Sequence, residues 1–533
     1  MADLLKHILL KPIQLADQII KFSDEVIYNK QEFSELKSTT ETLAELLRQM
    51  AFASNEPYER PTTRIISNTV QVLEKVLALI SLQLENSIKD VSWLLRLSAP
   101  NNSSYEYLFL PPIAIDDPVL SLIWEHIAIL YTGSLEDRSD AAAMLVSLAR
   151  DNHRYGKLII EEGGVIPLLK LGEEGKPEGQ EKAAIAIGLL GRDPESVEHM
   201  IHAGVCSVFE KMLKESVMKV QAAVAWAVGE LLTHSPKCQD LFAQHNIVQL
   251  LVGHPAFETV EEHISSLSLS ANGLHKGTEL EEPEIKDYMK SMAARALWYL
   301  AKDNPTICKS ITESRALLCF AVLLEKGAEE VRYHSAMAIM EITNVAEQDA
   351  DLRRAAFMPN SPDSKAVIEQ LLQIIEKAES RLLLPCVRAI GNLARTFRAT
   401  DTRMIQLLVQ LLEKQEAEVS KEAVIALTRF ACTENYLHLD HSKAIISAGG
   451  TKHLIQLVCL GEQMVQTPAL ILVCYLALHV ADSEDLAKAR VLTFLEWVSK
   501  QSLLIQSEMV EMILEDAKSR LELFQSRGSM GFH

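Results

Sequence analysis

From about residue 118 onward, one pattern of small, apolar and polar positions recurs along the chain. A small residue is followed by an apolar residue four positions on and another three beyond that, often with Ala or Gly next. The pattern starts at Ala141 (Leu145, Leu148, Ala149), Ala183 (Ile187, Leu190, Gly191) and Val224 (Val228, Leu231). It returns at Ala293 (Leu297, Leu300, Ala301), Ser335 (Ile339, Ile342), Cys386 (Ile390, Leu393, Ala394), Ala423 (Leu427, Phe430, Ala431) and Ala469 (Val473, Leu476, Ala477). Offsets of four and three put these residues on one face of a helix. The start-to-start spacings are 42, 41, 69, 42, 51, 37 and 46 residues.

A period near 40 is that of stacked armadillo or HEAT units. A second element recurs out of phase, a turn leading into an apolar helix. It is seen at Gly163 (GGVIPLLKL), Ala203 (AGVCSVFEKML), Asn246 (NIVQLLV), Ser314 (SRALLCFAVLLEKG), Asp401 (DTRMIQLLVQLLEK) and Gly449 (GGTKHLIQLV). Glycine in such turns permits positive φ between closely packed helices. The two patterns together predict an all-α chain in which residues 118–515 form a right-handed armadillo-repeat α-solenoid, because no single unit can bury its own apolar face. The two long spacings predict insertions: a flexible loop at about 265–288, and a Pro-bounded stretch, AFMPNSPDSKA, before residue 366.

Residues 1–98 read differently. Four apolar-periodic segments, Leu4–Tyr28, Gln31–Ser54, Thr63–Leu82 and Leu84–Leu97, predict an antiparallel helical bundle. Pro12 is expected to kink or restart its first helix. Residues 99–117 read as a linker and 516–533 as a C-terminal tail.

Composition narrows the function classes. The chain has 533 residues, 48% of them hydrophobic, and 52 Lys+Arg against 72 Asp+Glu, a net charge of −20. Nonspecific grip on nucleic acid depends on counterions released around Lys and Arg, so an acidic chain is a poor candidate for it. The eight Cys include no CxxC pair and fit reduced thiols used as small hydrophobes. No apolar run approaches the roughly 20 residues a bilayer span needs. The N-terminus has no signal-peptide pattern, and neither myristoylation nor prenylation signals are present. The expected place is the cytoplasm or nucleus, with at most peripheral membrane contact.

Longer strings carry a closer likeness. KPIQLADQ, YERPTTRII, QLENSIKDVSWLLRLSAP, LFLPPIA, GSLEDRSDAAAMLVSLARDNHRYGKLIIEEGG, LGRDPESVE and ITESRALLCFAVLLEKG are joined by FRATDTRMI, HSKAIISAGGTKHLIQLV, GEQMVQ and KSRLELFQSRGSMGFH. By these the chain resembles the plant Armadillo Repeat Only proteins nearly end to end. The resemblance implies a noncatalytic scaffold at polar growth sites of the plasma membrane, where it restricts Rho-type (ROP) GTPase signalling through GTPase regulators. Two features depart from that family. The basic, apolar segment its members carry before QLENSI is missing, since LALIS runs directly into Leu82 and Gln83. The Ser/Gly/Asn-rich insertion is also short. With 7 Lys+Arg against 10 Asp+Glu in residues 1–60, contact with anionic phospholipids is expected to be weak. The competing reading is an adaptor for ubiquitin-ligase or other complexes with no membrane contact.

Searches for chemistry return little. His438 and His441 flank Asp440 with loose metal-ligand spacing, and GEEGKPEG at 172–179 lacks the GxxxxGK[ST] order of a phosphate loop. No zinc-protease, serine-hydrolase or kinase signature occurs. The chain is therefore read as a non-enzyme without cofactor, metal or small-molecule substrate, whose partners are proteins. Armadillo arrays bind extended peptides along the third helix of each unit, and importin-α does so with repeated Trp and Asn four residues apart. Here only Trp226 and Asn392 match, in different units. The candidate groove residues are Trp226, Glu230, Arg295, Tyr299, Glu341, Arg388, Asn392, Arg395 and Arg429, with Arg398 expected in the same cluster. Arginine favours planar recognition of carboxylates, and Trp226 and Tyr299 are aromatic anchors.

Overall fold

The computed structural model describes residues 2–25, 30–52, 65–80, 118–254, 283–314, 316–414, 416–501 and 507–530, and none of these is in a strand. Two compact units result, Met1–Thr132 and Gly133–His533.

In the first unit, helices Ala2–Glu25, Lys30–Phe52 and 65–80 pack by interlocking apolar faces. Leu9, Leu47 and Ile66 form one buried cluster, and Ala16, Ile19, Ala44, Leu73 and Ile80 form another. Early residues of one helix thus meet late residues of the next, the mark of an antiparallel arrangement. The first helix runs unbroken through Pro12, so the expected restart there does not occur. Lys11 pairs with Glu74 at 2.7 Å, and Arg48 with Asp17. Helix Pro118–Thr132, assigned to the solenoid by its sequence, clusters with this unit. The expected fourth helix, Leu84–Leu97, and the linker 99–117 lie outside the described residues.

The second unit is an armadillo-like solenoid. Among the described residues, nine helices stack in chain order: Leu135–Asp151, Pro177–Leu190, Met218–His234, Pro283–Ala301, Glu329–Gln348, Ser380–Asn392, Ala417–Ala431, Gln463–His479 and Glu508–Met530. These are the third helices of successive repeats. Each of the small residues that open the sequence pattern, from Ala141 to Ala469, lies on one of the first eight and is buried. Small side chains let neighbouring backbones approach, and the apolar residues four and seven positions on close the gap. The turn-led elements are the second helices, such as Val165–Glu174, Val205–Glu215 and Gly450–Leu460. Gly163, Gly204 and Gly449 before them have φ of 82°, 94° and 86°. Asn246 and Arg490 take the same left-handed turn, with φ of 57° and 54°.

The insertions are shorter than expected where they can be seen. Pro283 and Glu284 start a helix, so residues 283–288 are helical, and 255–282 lie outside the described residues. Pro362 occupies the first position of Pro362–Lys377, where its missing N–H has no helical partner to lose. Residues 516–530, read as a tail, continue the last helix. The unit after Ser380–Asn392 is shorter than its neighbours: only the 3₁₀ turn Ala394–Thr396 precedes its second helix, Arg403–Leu411.

One polar device recurs at the repeat junctions. Near the start of a third helix, Gln180, Gln221 and Arg332 reach back to the carbonyls of Gly172, Leu213 and Leu324, at 2.9, 2.8 and 2.7 Å. They thereby satisfy the orphan carbonyls that end a second helix. The next repeat locks the glutamines in place: Ser216 donates to Gln180 Oε1 at 3.0 Å, and His254 Nε2 lies 2.7 Å from Gln221 Oε1. Burial holds the His254 pKa down at about 4 from a usual 6.5. The unfolded chain therefore binds the extra proton between pH 6.5 and 4. This junction keeps its full stability above 6.5 and loses it as the pH falls towards 4. The protection factors of amides in Val205–Glu215, corrected for intrinsic exchange at each pH, are expected to fall over that window, and the fall to flatten in His254→Gln.

Candidate protein-binding face

All the groove candidates but Arg395 lie on the third helices, from buried (Glu341, Asn392) through half-buried (Trp226, Glu230, Arg295, Tyr299, Arg429) to exposed (Arg388), and the helices bring most of them together in cross-rungs. Glu230 on Met218–His234 accepts from Arg295 Nη2 on Pro283–Ala301 at 2.8 Å, and the same guanidinium lies 5.3 Å from the Tyr299 ring. Arg388 reaches Glu422 on the following helix at 2.7 Å. Asn392 is 3% exposed; its amide donates to Thr343 Oγ1 at 3.2 Å, and its oxygen accepts from Arg429. Arg429 Nε also meets Glu347 at 3.1 Å. Of the five arginines expected along the groove, three are therefore neutralised by glutamates on neighbouring helices.

Two arginines fall elsewhere. Helix Ser380–Asn392 ends before them, so Arg395 lies in the 3₁₀ turn and Arg398 in the loop beyond. Arg395 is exposed and makes no ion pair among the described residues. Arg398 leaves the expected cluster and donates to Asn360 Oδ1 at 3.2 Å.

Trp226 packs across the preceding third helix at Gly188. A Cβ on that glycine would lie 2.5 Å from Trp226 Cζ3 and 3.1 Å from Ala227 Cα. Close approach recurs at later rungs: a Cβ on Gly229 would lie 3.1 Å from Arg295 Nη1, and one on Gly391 would lie 2.8 Å from Ala426 Cβ on the next third helix. Each glycine is five residues after the small residue of its unit, a regularity visible in the sequence but unexplained without the neighbouring helix.

Sequence reasoning missed an aromatic group beside these rungs. Trp298 stacks on Tyr299 with ring centroids 4.5 Å apart and meets Tyr333 edge-on at 6.4 Å. Its Nε1–H points to Glu341 Oε1 at 3.4 Å. Burial pushes the Glu341 carboxyl up from its ordinary range. Arg381 lies 4.4 Å above the Tyr333 ring and is held by both oxygens of Glu330. Tyr333 precedes its unit's small residue, outside the offsets used to find groove positions.

The remaining candidate residues do not assemble into a chemical site. His438 faces His479, with ring centroids 4.6 Å apart, whereas His441 is buried edge-on against Phe430 at 5.1 Å. No group of three His, Cys, Asp or Glu side chains suited to a metal occurs among the described residues. Residues 172–179 form a helix end, a turn and a helix start, with Lys176 paired to Glu136 at 2.8 Å. Burial pushes the thiols of Cys206, Cys308 and Cys474 up to about 12, which makes them poor nucleophiles. No helix among the described residues is long and apolar enough to cross a membrane.

Comparison with known proteins adds three findings. Residues 6–82 match a family model described as a domain of unknown function (DUF7792), which covers the helical bundle. Over 380 residues the chain is 24% identical to Protein CELLULOSE SYNTHASE INTERACTIVE 2 of Arabidopsis thaliana; the match takes in 65% of this chain but only 17% of that protein. Among solved structures, an engineered protein aligns with a TM-score of 0.51 at 20% identity, over 75% of this chain and 99% of its own. A structure described as concerning a phosphorylation switch in the interaction of cadherin and beta-catenin aligns with a TM-score of 0.53 at 14% identity, over 74% and 67%. At such identities these likenesses show the fold alone, the all-α armadillo-like solenoid.

The glycine crossing yields a direct test. Gly188→Ala is expected to cost about 1–3 kcal/mol through overpacking and to shift Trp226 emission. Made in a Trp226→Ala background, it is expected to cost much less, a coupling that a double-mutant cycle on unfolding midpoints measures.

Proposed function

We propose that the chain is a noncatalytic scaffold whose third-helix face receives an acidic or extended segment of a signalling protein. The observation that carries this reading is the ladder of nine successively packed helices among the described residues. Its half-buried Arg, Glu and aromatic side chains are pre-oriented by one another. Such rungs lose little rotamer freedom when a partner arrives. Arg388, 47% exposed beside Glu422, and the exposed Arg395, whose charge helps hold the Glu434 carboxyl below its ordinary range, are the positions from which a partner carboxylate can be taken. The likeness to a protein named for its interaction with cellulose synthase supports the interaction class.

The finer reading rests on the resemblance to the Armadillo Repeat Only family. The partners are regulators of Rho-type (ROP) GTPases, and the setting is polarised growth in plant cells. Placement at the membrane is then weak for this chain, because the bundle offers no basic cluster. Each clustered basic residue is worth about 1 kcal/mol at an anionic surface.

Two experiments separate these levels. Arg388→Glu with Arg395→Glu, in a chain that stays helical, is expected to weaken capture of purified ROP-GTPase regulators by about tenfold; unchanged capture rejects the third-helix face. For the membrane, a form with a basic segment inserted after Leu82 is expected to co-sediment with anionic liposomes more than with neutral ones, and more than the natural chain does. Equal, negligible sedimentation of both forms removes lipid contact from the reading.

A further inference from the structure

Seven of the third helices lead into an α-helix that opens the next unit: His153–Glu161, Pro194–His202, Gln239–Gln244 (after a 3₁₀ turn), Pro305–Glu313, Ala350–Ala356, His438–Ser447 and Glu484–Lys488. Ser380–Asn392 does not. Where such a first helix exists, it can cover the second helix of the unit before. Pro305–Glu313 lies against Ile247–Val252 in this way, and His438–Ser447 against Arg403–Leu411. Pro362–Lys377 has no such cover, and a cavity of about 730 Å³ opens between it, the loop after Thr396 and the start of Arg403–Leu411.

The lining divides by chemistry. Leu372, Phe397 and Met404 are buried, with Ile368 beside them, and give an apolar floor. Lys365 and Arg398 are exposed at the walls. Arg403 is held between Glu369 and Glu376, at 3.0 and 2.9 Å, and Asp401 is engaged by the Arg398 backbone N–H at 3.2 Å. Lys365, by contrast, makes no ion pair among the described residues, and the Arg398 guanidinium has only the Asn360 amide oxygen. Two cations thus stand over an apolar floor without carboxylates of their own. A helix about 10 Å across rises 5.4 Å per turn and so fills roughly 420 Å³ per turn. The cavity takes just under two turns, comparable to Ala350–Ala356 with its 7 residues.

We propose that this cavity receives a short, acidic amphipathic helix of another protein, which takes the place of the missing first helix. Its apolar face covers Leu372, Phe397 and Met404, and its carboxylates meet Lys365 and Arg398, the helix-in-groove mode of recognition. The site is separate from the third-helix face, so either can fail without the other.

The probe is a fluorescein-labelled peptide of about twelve residues, leucine on one helical face and glutamate on the other, long enough to exceed the cavity's two turns. Anisotropy is read on titration with the full chain. The acidic peptide is expected to bind, and a lysine counterpart with the same leucine face to bind at least about tenfold more weakly. Lys365→Glu with Arg398→Glu is expected to weaken the acidic peptide about tenfold or more with unchanged far-UV circular dichroism, whereas Arg388→Glu alone leaves it unaffected. Thr400→Trp at the mouth is expected to block binding by volume alone, and it remains the test if the charge-reversed chain unfolds. Failure of the acidic peptide to bind, equal binding of both peptides, or indifference to both the reversal and the filling variant overturns the proposal. Displacement by inorganic phosphate at the peptide's own concentration points to a bare anion site, and self-association lost with Lys365→Glu points to a second copy; each also overturns it.

Discussion

The solenoid depends on third helix packing against third helix. Ala293, Cys386, Ala423 and Ala469 are fully buried at these contacts, and their small size brings neighbouring backbones within reach of the apolar residues that follow. A single repeat offers one such face and has nothing to bury it against, so each unit is stable only between neighbours. The close approach constrains everything polar nearby. A half-buried Arg or Glu at that spacing would be costly alone, and Arg295, Arg388 and Arg429 each find a glutamate one or more helices away. Glycine at 188 and 391 sits where a methyl group would collide, with Trp226 at the one and with Ala426 at the other, and glycine at 229 leaves room for Arg295.

Charge is therefore distributed by the fold and not by composition. A net −20 suggests an acidic surface, yet the third-helix rungs are close to neutral because their cations are paired internally. Among the cations without an ion pair, Arg395 stands past the end of Ser380–Asn392, and Lys365 and Arg398 stand around the place of a missing helix. The scaffold reading on the one side, and the helix-receiving cavity on the other, draw on different faces of the same ladder.

Much of this was legible in the sequence. The small residues from Ala141 to Ala469 mark all but the last of the stacked helices, because a period of 3.6 with a small-residue start is itself the packing rule. Glycine before the second helices was readable for the same reason, since positive φ leaves few alternatives. Partner choice was not readable: Arg388 was expected to face a ligand, but its pairing with Glu422 depends on the register between two helices 34 residues apart. Arg398 was misplaced because nothing local announces that a helix stops at Asn392. The spacing of 37, the shortest of the series, is the sequence trace of the lost first helix. Trp298 and Tyr333 went unseen because they lie off the two offsets used to find the face.

The central claim is that stability resides in nearest-neighbour contacts between third helices. Native-state hydrogen exchange resolved along the second unit tests it most directly. The account predicts that amides of Met218–His234 through Gln463–His479 are the most protected, above the first and second helices of the same units, with protection stepping down towards Leu135–Asp151 and Glu508–Met530. One uniform opening energy across all helices, or first helices protected more strongly than third helices, would contradict it.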